Sequence, residues 1–427
     1  MVKNFLMACK CLVAIGSYAQ NGTVSPYSSF GLGDFRANAT VENQMMGGLR
    51  LYADSIHVNM RNPAAYSEIK LTAYTAGISH REFRLKDFNE EQNVSVTNLD
   101  YLAIGFPIAR NAGLGFGLMP FSSVGYNLSS QPTNSEGQTV NNAFSGEGGL
   151  NRVYLSVGYE PIPNLSVGAT INYNFGTLEF DRLQSVEDVL FGTRDERESR
   201  INGFDFNYAL NYTPQIKDKY TLYTHIGVNT QVNLVSKNSE RISSFSLADG
   251  SEIEGIDVNL DEQGLANTEL KVPTVTTLGL GFGQEKKWFV GGEYSFQQLS
   301  SFSNDFLGQD NVVYEDASTM AFGTFFTPDY RSLSNYLKRI TYRAGLRYEQ
   351  TGLVVSDKEI NNFGITFGFG LPLTGVSGGP TSFSNLNVGF ELGRRGTTDA
   401  GLIEESYFKV KIGLSLTDKW FIKRRIN

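Results

Sequence analysis

The stretch NLSVGATINYNFG, residues 164 to 176, alternates apolar and polar side chains without a break. Successive side chains of a β-strand point to opposite faces, so this stretch predicts a strand with one apolar and one polar face. The apolar face carries Leu165, Val167, Ala169, Ile171, Tyr173 and Phe175. A soluble antiparallel sheet and a transmembrane barrel strand both show this pattern, so the rest of the chain has to discriminate between them.

The same alternation recurs along most of the chain. We predict fourteen strands, an even number typical of bacterial barrels, beginning near residues 70, 97, 112, 150, 164, 202, 219, 273, 286, 317, 338, 361, 384 and 405. The 45 glycines, 30 phenylalanines and 21 tyrosines favour short aromatic strands and tight turns. Mean hydropathy is only −0.22, and no apolar run of about 18 residues follows the N-terminus, which excludes spanning helices.

The predicted connections separate by parity. Those after even-numbered strands are mostly tight, whereas those after odd-numbered strands are long and polar, at about residues 123–147, 182–200, 235–270 and 300–315. Two connections on the tight side are longer than this rule expects, namely the one from Thr327 and the one at residues 375–383. Short turns at one end and long loops at the other favour a 14-stranded antiparallel transmembrane β-barrel in a bacterial outer membrane.

The N-terminus has the features of a secretory signal. A short basic start and an apolar stretch precede Ser17-Tyr18-Ala19, which predicts a signal peptide over residues 1–19. Both cysteines, Cys9 and Cys11, lie within it, so we expect no disulfide or thiol chemistry in the mature chain. Residues 20–66 show little alternation and are expected to form an N-terminal hatch in the lumen, with residues 67–427 as the barrel.

Charged residues lie on the polar face of three of the last four predicted strands. They are Arg343, Arg347, Glu349, Glu391, Lys409 and Lys411. Buried charges persist when they are paired, so we expect these side chains to form ion pairs in the lumen, although a patch that guides substrate remains an alternative. Glycines on the same face, such as Gly389 and Gly413, would leave space for another element to pack inside.

The segment DSIHVNMRNPAAYSE contains Asn62, Pro63 and Ala64 just before the first predicted strand. Through this motif and the number of predicted strands, the chain resembles the FadL/TodX outer-membrane transport family. The closing strands SNLNVGFELGRRG and YFKVKIGLSLTDKWF resemble those of members from Bacteroidetes-type bacteria. The resemblance implies an N-terminal hatch and passive uptake of hydrophobic small molecules, such as long-chain fatty acids or aromatic hydrocarbons. The alternative is a non-transporting barrel subunit, with protein partners in a secretion or surface-assembly complex.

The stretch GLGFGLMPF predicts a weak point in the third strand. Pro120 cannot donate to the strand ladder, and Gly115 and Gly117 weaken the same strand. The resemblance implies lateral release of cargo into the membrane at this strand. The alternative is that Pro120 simply ends the strand at the rim of the membrane.

Little in the sequence points to other chemistry. His57, His80 and His225 show no metal-ligand spacing and no nucleophile motif, so we expect neither an enzyme nor a metal or other cofactor. Asp257, Asn259 and Asp261 resemble the start of a calcium loop, but Glu262 stands where that loop needs glycine. The net charge of −8 argues against nucleic acid as a partner. Aromatic girdles at the membrane interfaces are expected to include Tyr101, Phe106, Phe121, Tyr126, Trp288, Trp420 and Phe421.

Overall fold

A computed structural model describes residues 22–36, 39–308, 311–373 and 384–418. The predicted signal peptide, residues 375–383, Trp420 and Phe421 lie outside these residues. Within the described ranges, no helix has both the length and the apolar character needed to cross a membrane.

The chain forms a closed antiparallel barrel of fourteen strands, as the alternation predicts. The strands are β1 Thr72–Lys86, β2 Glu91–Ala109, β3 Ala112–Ser130, β4 Val140–Ile162, β5 Leu165–Val186, β6 Phe191–Tyr212, β7 Tyr220–Asn229 continued by Val232–Ser246, β8 Asn267–Val272 continued by Val275–Gln284, β9 Trp288–Gln297, β10 Ala317–Phe326, β11 Thr341–Val355, β12 Lys358–Pro372, β13 Asn385–Arg395 and β14 Glu404–Asp418. Pairing of β14 with β1, from Asp418 with Thr72 to Glu404 with Lys86, closes the barrel.

Further short elements lie outside these fourteen strands. Four short strands, Asp34–Phe35, Gln215–Ile216, Glu252–Asp257 and Val312–Tyr314, pair with the edges of longer ones. Single helical turns span Pro26–Ser29, Val41–Gln44, Pro63–Glu68, Leu260–Gln263, Leu299–Ser301, Tyr336–Arg339 and Asp399–Gly401.

Strand β5 shows which solvent each face suits. Its polar residues are buried, with Ser166 2% and Asn174 0% exposed, whereas the apolar Ile171 and Tyr173 are about 40% exposed. A soluble sheet would bury the apolar row instead, so this distribution is that of a barrel with an apolar outer surface and a polar lumen. The other strands follow the same pattern. The alternation also predicts an outward-facing Ile340, but this residue lies in the connection before β11 and is buried.

The two ends of the barrel differ, as loop parity predicts, but the long connections are less irregular than expected. We call the end with the tight connections the short-turn end and the other the hairpin end. Most residues of the predicted loops 123–147 and 182–200 belong to β3, β4, β5 and β6, which continue beyond the apolar belt as paired hairpins. Cross-strand ion pairs such as Arg194 with Asp181, at 2.6 Å, stabilise these polar extensions.

Residues 22–36 and 39–69, which we call the luminal segment, contact the inward-facing side of the wall, and most of these residues are buried. Inward-facing glycines of the wall make room for them. A Cβ added at Gly158 would lie 2.6 Å from both the Pro63 carbonyl oxygen and the Ser67 amide nitrogen, and one at Gly105 would lie 2.7 Å from the Ile69 side chain. The glycines that the sequence places on the polar face therefore permit close packing between the wall and the N-terminal segment.

Candidate functional site: the luminal segment and the seam beside the third strand

The Asn62-Pro63-Ala64 motif forms the start of the 3₁₀ turn Pro63–Glu68 near the short-turn end. Pro63 takes the first position, where its missing N–H costs nothing. The fully buried Asn62 amide donates hydrogen bonds to the Arg50 carbonyl at 3.0 Å and to Asn211 Oδ1 of β6 at 3.2 Å. The Ser67 hydroxyl donates to Ser166 Oγ of β5 at 2.8 Å. The motif thus joins two parts of the luminal segment to the wall.

Close by, the luminal segment is also joined to the wall through its acidic side chains. The Glu42 carboxylate accepts hydrogen bonds from Asn387 Nδ2 of β13 at 2.8 Å and Ser415 Oγ of β14 at 2.7 Å. His57 Nδ1 lies 2.6 Å from Asp54 Oδ2, and His57 Nε2 lies 3.9 Å from Glu42. Burial opposes ionisation of Asp54, but the charge and hydrogen bond of His57 outweigh it and lower the pKa of Asp54 to about 2. Burial likewise opposes the charged form of His57, yet Asp54 raises the pKa of His57 above its usual value.

The third strand, β3, has a break in pairing on one side only. Its ladder with β2 ends at the pair Leu102 with Leu118, and among the described residues the two strands do not pair beyond that point. On the other side β3 continues with β4 as far as Ser130, with a register shift between Pro120 and Ser122. A seam therefore opens between β2 and β3, starting two residues before Pro120.

Residues of the luminal segment cover this seam. Asp34 and Phe35 pair with Ser123 and Ser122, and the Arg36 amide donates to the Phe121 carbonyl at 3.0 Å. The Asp34 carboxylate forms ion pairs with Arg395 of β13 at 2.9 Å and Arg81 of β1 at 3.7 Å. The seam thus borders residues 34–36, whereas Asn62 makes its hydrogen bonds with Arg50 and with β6.

Gly115 and Gly117 belong to the polar-face glycines that the sequence expects to leave space for another element. A Cβ at Gly115 would collide with the Tyr66 ring, and one at Gly117 would lie 2.8 Å from the Tyr154 ring. The two tyrosine hydroxyls are hydrogen bonded to each other at 3.1 Å, deep in the lumen. These glycines therefore admit a buried tyrosine pair directly beneath the seam.

A cavity of about 380 Å³ lies between the luminal segment and the wall. Its lining includes Asp34, Phe35 and Phe121, so the cavity reaches the seam. Arg50 and Arg61 also line it, and among the described residues neither forms an ion pair within 4.0 Å, although the Glu293 carboxylate accepts the Arg50 backbone amide. Towards the hairpin end the cavity borders an apolar cluster that includes Leu32, Leu234, Phe302 and Phe306. The site therefore combines an apolar region with two cationic groups.

Four of the six charged residues that the sequence places in the lumen form one cluster. Glu391, 1% exposed, pairs with Lys411 at 2.5 Å, Arg347 at 3.0 Å and Lys409 at 3.7 Å. Arg343 donates instead to Asn387 Oδ1 at 3.2 Å, and Glu349 accepts from Asn362 Nδ2 at 3.1 Å. Glu391 thus stands at the centre of a three-cation cluster that joins β11, β13 and β14.

The aromatic prediction is wrong for several residues. Tyr101 and Phe121 are buried in the lumen, where the Tyr101 hydroxyl accepts the Val41 amide at 3.1 Å and Arg152 stacks on Phe121 at 4.2 Å. The ring of Tyr126 packs against the apolar cluster. Trp288 does lie in an aromatic group with Tyr220 and Phe282, at centroid distances of 6.2 and 5.8 Å. The sequence pattern predicts the buried rings at the membrane interfaces, but aromatic residues on the luminal face also fill the space around the luminal segment.

The remaining candidates have structural partners. His225 lies on the luminal face of β7, and its Nδ1 is 2.8 Å from Asn211 Oδ1. Asp257 pairs with Arg241 at 2.8 Å, and Asn259 donates to Glu262 at 2.8 Å. Among the described residues no group of three or more His, Cys, Asp and Glu side chains is placed to hold a metal ion.

Residues 34–36, Arg50 and Arg61 are functional candidates that sequence reasoning missed. They fall within the predicted hatch, where alternation is weak and no motif distinguishes them. The only sequence signal at the seam is an aromatic residue between two opposite charges, Asp34 and Arg36, which is too common a pattern to select.

Solved structures share this fold. The chain resembles the CymD monoaromatic hydrocarbon channel, with 15% identity over 92% of this chain and 99% of that one and a TM-score of 0.56. It resembles the Pseudomonas putida toluene transporter TodX, with 16% identity over 92% and 100% of the chains and a TM-score of 0.56. A Pseudomonas aeruginosa FadL homologue matches with 12% identity over 95% and 100% and a TM-score of 0.53. At such identities the likeness concerns the fold, and the FadL/TodX architecture that the sequence suggested is confirmed.

Curated protein sequences give no match to this chain. A family model does match, and it spans residues 1–427. The family assignment therefore rests on a sequence match over the whole chain, whereas the fold is supported by the solved structures. The chain belongs to the BamG family.

Proposed function

We propose that this protein resides in a bacterial outer membrane and admits hydrophobic small molecules passively, with the luminal segment as hatch and the seam beside β3 as lateral exit. The observation that carries the proposal is the seam itself, where the wall lacks pairing between β2 and β3 and a cavity reaches the gap. Residues 34–36 cover it through two residue pairs with β3, the hydrogen bond from the Arg36 amide to the Phe121 carbonyl and the ion pair of Arg36 with Asp100 of β2 at 3.6 Å. Strand pairing elsewhere in the wall leaves no comparable route from lumen to lipid among the described residues.

The cavity favours one substrate class. Arg50 and Arg61 offer guanidinium groups that suit a carboxylate, and the apolar cluster beside them suits an acyl chain. Long-chain fatty acids combine both features, whereas aromatic hydrocarbons lack the anionic group. We therefore place fatty acids before hydrocarbons as the cargo.

A reversible lock across the seam tests the proposal. Phe35 and Ser122 are register partners, and such Cα atoms lie within the range that a disulfide spans, so a Phe35→Cys/Ser122→Cys chain can be cross-linked. Oxidation should abolish uptake of labelled oleate by cells, and a reductant should restore it. Ala344→Cys/Phe367→Cys, in the continuous ladder of β11 and β12, is the matched control and should transport in both states. Equal uptake by the locked and reduced seam would refute lateral exit.

A second function has support from the packing. The luminal segment is extensively hydrogen bonded to the wall, and this suits a sealed barrel that serves as a subunit of a secretion or surface-assembly complex. Deletion of the gene separates the two. Normal oleate uptake together with failed protein export would assign the assembly role, and impaired uptake with normal export would assign transport.

A further inference from the structure

The connection between β10 and β11 is unusual among those at the short-turn end. It spans residues 327–340, and both of its leucines are strongly exposed, Leu333 at 102% and Leu337 at 63%. Leucines at a loop that faces only water cost free energy, because their apolar area stays in contact with solvent. Something other than the described residues is therefore expected to cover them.

The connection is ordered by its own hydrogen bonds. The Asp329 amide donates to the Lys338 carbonyl at 2.8 Å, and Asn335 caps the turn Tyr336–Arg339 by accepting the Leu337 amide at 3.0 Å. Its apolar side chains are thus presented by a defined structure.

Two tyrosine contacts place the turn over the outside of the wall. Tyr342, an outward residue of β11, donates from its hydroxyl to the Leu337 carbonyl at 3.3 Å. The Tyr336 hydroxyl donates to the Pro372 carbonyl at the end of β12 at 3.2 Å. The turn therefore leans against the outer rim of β11 and β12, next to the apolar belt.

The rim at this point is aromatic. Trp288, Phe326, Tyr342 and Phe369 are successive cross-strand partners along β9 to β12. Such a row marks the level of lipid headgroups, because aromatic side chains favour the membrane interface. The connection thus begins at the level of the lipid headgroups and extends away from the apolar belt.

Its charge has the sign opposite to that of the protein. The connection contains three cations and one acidic residue, Asp329, whereas the chain has a net charge of −8. The cations are Arg331, Lys338 and Arg339. No ion pair within 4.0 Å joins these three cations to an acid in the described ranges, and Arg331 and Arg339 lie over the rings of Tyr330 and Tyr336 at 5.2 and 5.1 Å. Cations beside interfacial tyrosines and leucines are suited to phosphate groups above an acyl layer.

We propose that residues 330–339 form an interfacial anchor that inserts Leu333 and Leu337 into the lipid leaflet at the short-turn end and binds the phosphate headgroups of anionic phospholipids through Arg331, Lys338 and Arg339. The anchor rests on the proposed membrane location but not on transport. It adds a lipid-specific contact at the short-turn end of the barrel, opposite the hairpin end.

Fluorescent probes at single cysteines test the insertion. Cys9 and Cys11 are replaced by serine, and a probe is attached through Leu333→Cys, Ile171→Cys or Asp218→Cys in nanodiscs that contain brominated lipids. Ile171, in the belt, should be quenched by lipid, and Asp218, in the exposed turn before β7, should be quenched by aqueous iodide. Leu333 should behave like Ile171. If Leu333 behaves like Asp218 while Ile171 is quenched by lipid, the anchor is wrong and the membrane location stands; if Ile171 also fails, the location itself is wrong.

The headgroup preference has its own measurement. With bromine carried by phosphatidylglycerol, quenching at Leu333 should exceed that by brominated phosphatidylcholine at least twofold, and the Arg331→Gln/Lys338→Gln/Arg339→Gln variant should abolish the difference. Equal quenching in the chain with its three cations would overturn the anionic preference. A probe at Leu333 that is water-accessible in nanodiscs but shielded in native membranes would overturn the anchor and assign the surface to a protein partner.

Discussion

Replacing Gly158 by alanine should loosen the luminal segment at the Asn62-Pro63-Ala64 motif. The new Cβ would lie 2.6 Å from the Pro63 carbonyl oxygen and the Ser67 amide nitrogen, both backbone atoms that cannot turn aside. Non-bonded heavy atoms prefer roughly 3.5 Å, so the turn has to move by about 1 Å. Overpacking of this kind costs about 1–3 kcal/mol, against which alanine gains about 0.4–1 kcal/mol from the unfolded chain. We expect a net loss of roughly 1–2 kcal/mol in the free energy of unfolding.

Gly364→Ala is the matched control for this experiment. Gly364 also faces the lumen, but its Cβ would meet no atom closer than 3.3 Å, the distance to a Glu391 carboxylate oxygen. Urea unfolding in phospholipid vesicles, followed by tryptophan fluorescence, measures both variants against the parent chain. Gly364→Ala should be near neutral. Equal stability of the two variants would show that the turn Pro63–Glu68 is not packed against β4, and the reasoning about inward glycines would fail.

Three further predictions concern charge and the membrane. Glu391→Gln leaves Lys411, Lys409 and Arg347 buried without their carboxylate and should cost about 3–5 kcal/mol in urea unfolding, whereas Glu349→Gln should cost less because Glu349 is only half-buried. The Asp54 and His57 pair stabilises the folded chain most at pH values between the lowered pKa of Asp54 and the raised pKa of His57. The Asp54 contribution is lost as pH falls towards 2, and the His57 contribution is lost as pH rises through its raised pKa. Unfolding measured from pH 6 to 9 should therefore show declining stability that Asp54→Asn largely removes. The chain should fractionate with outer membranes and show heat-modifiable gel migration, and recovery as a soluble periplasmic protein would contradict the location.

The barrel was predictable because its wall follows one local rule. In β5 the exposure alternates with each residue, from buried Asn172 to exposed Tyr173, so period-two patterning reports the face directly. The same rule locates the starts of most strands within a few residues. It fails for β4 and β6, which begin at Val140 and Phe191, because polar hairpins outside the apolar belt have no hydrophobic face to alternate.

The site was less predictable because luminal packing has no period. Gly115 and Gly117 are predicted to weaken β3 and to leave space in the lumen, but no local pattern shows that the rings of Tyr66 and Tyr154, from distant parts of the chain, fill that space. The seam depends on where β2 and β3 stop pairing, and that is set by register and by the two residues, Asp34 and Phe35, which take over one edge. Pro120 indicates the neighbourhood of the seam, but no local pattern reveals the segment that covers it.

The distribution of contacts around the lumen indicates where this barrel opens at least cost. On one side, fifteen residue pairs join β1 to β14, Glu42 joins the luminal segment to β13 and β14, and the Glu391 cluster joins β11, β13 and β14 to one another. On the other side, residues 34–36 cover the seam through two residue pairs with β3, the hydrogen bond from the Arg36 amide to the Phe121 carbonyl, and the ion pairs of Asp34 and Arg36. Local opening follows the weakest set of interactions, since its free energy depends on the contacts that must break. Withdrawal of residues 34–36 therefore breaks fewer hydrogen bonds than parting any complete ladder, and the ion pairs of Asp34 and Arg36 resist it.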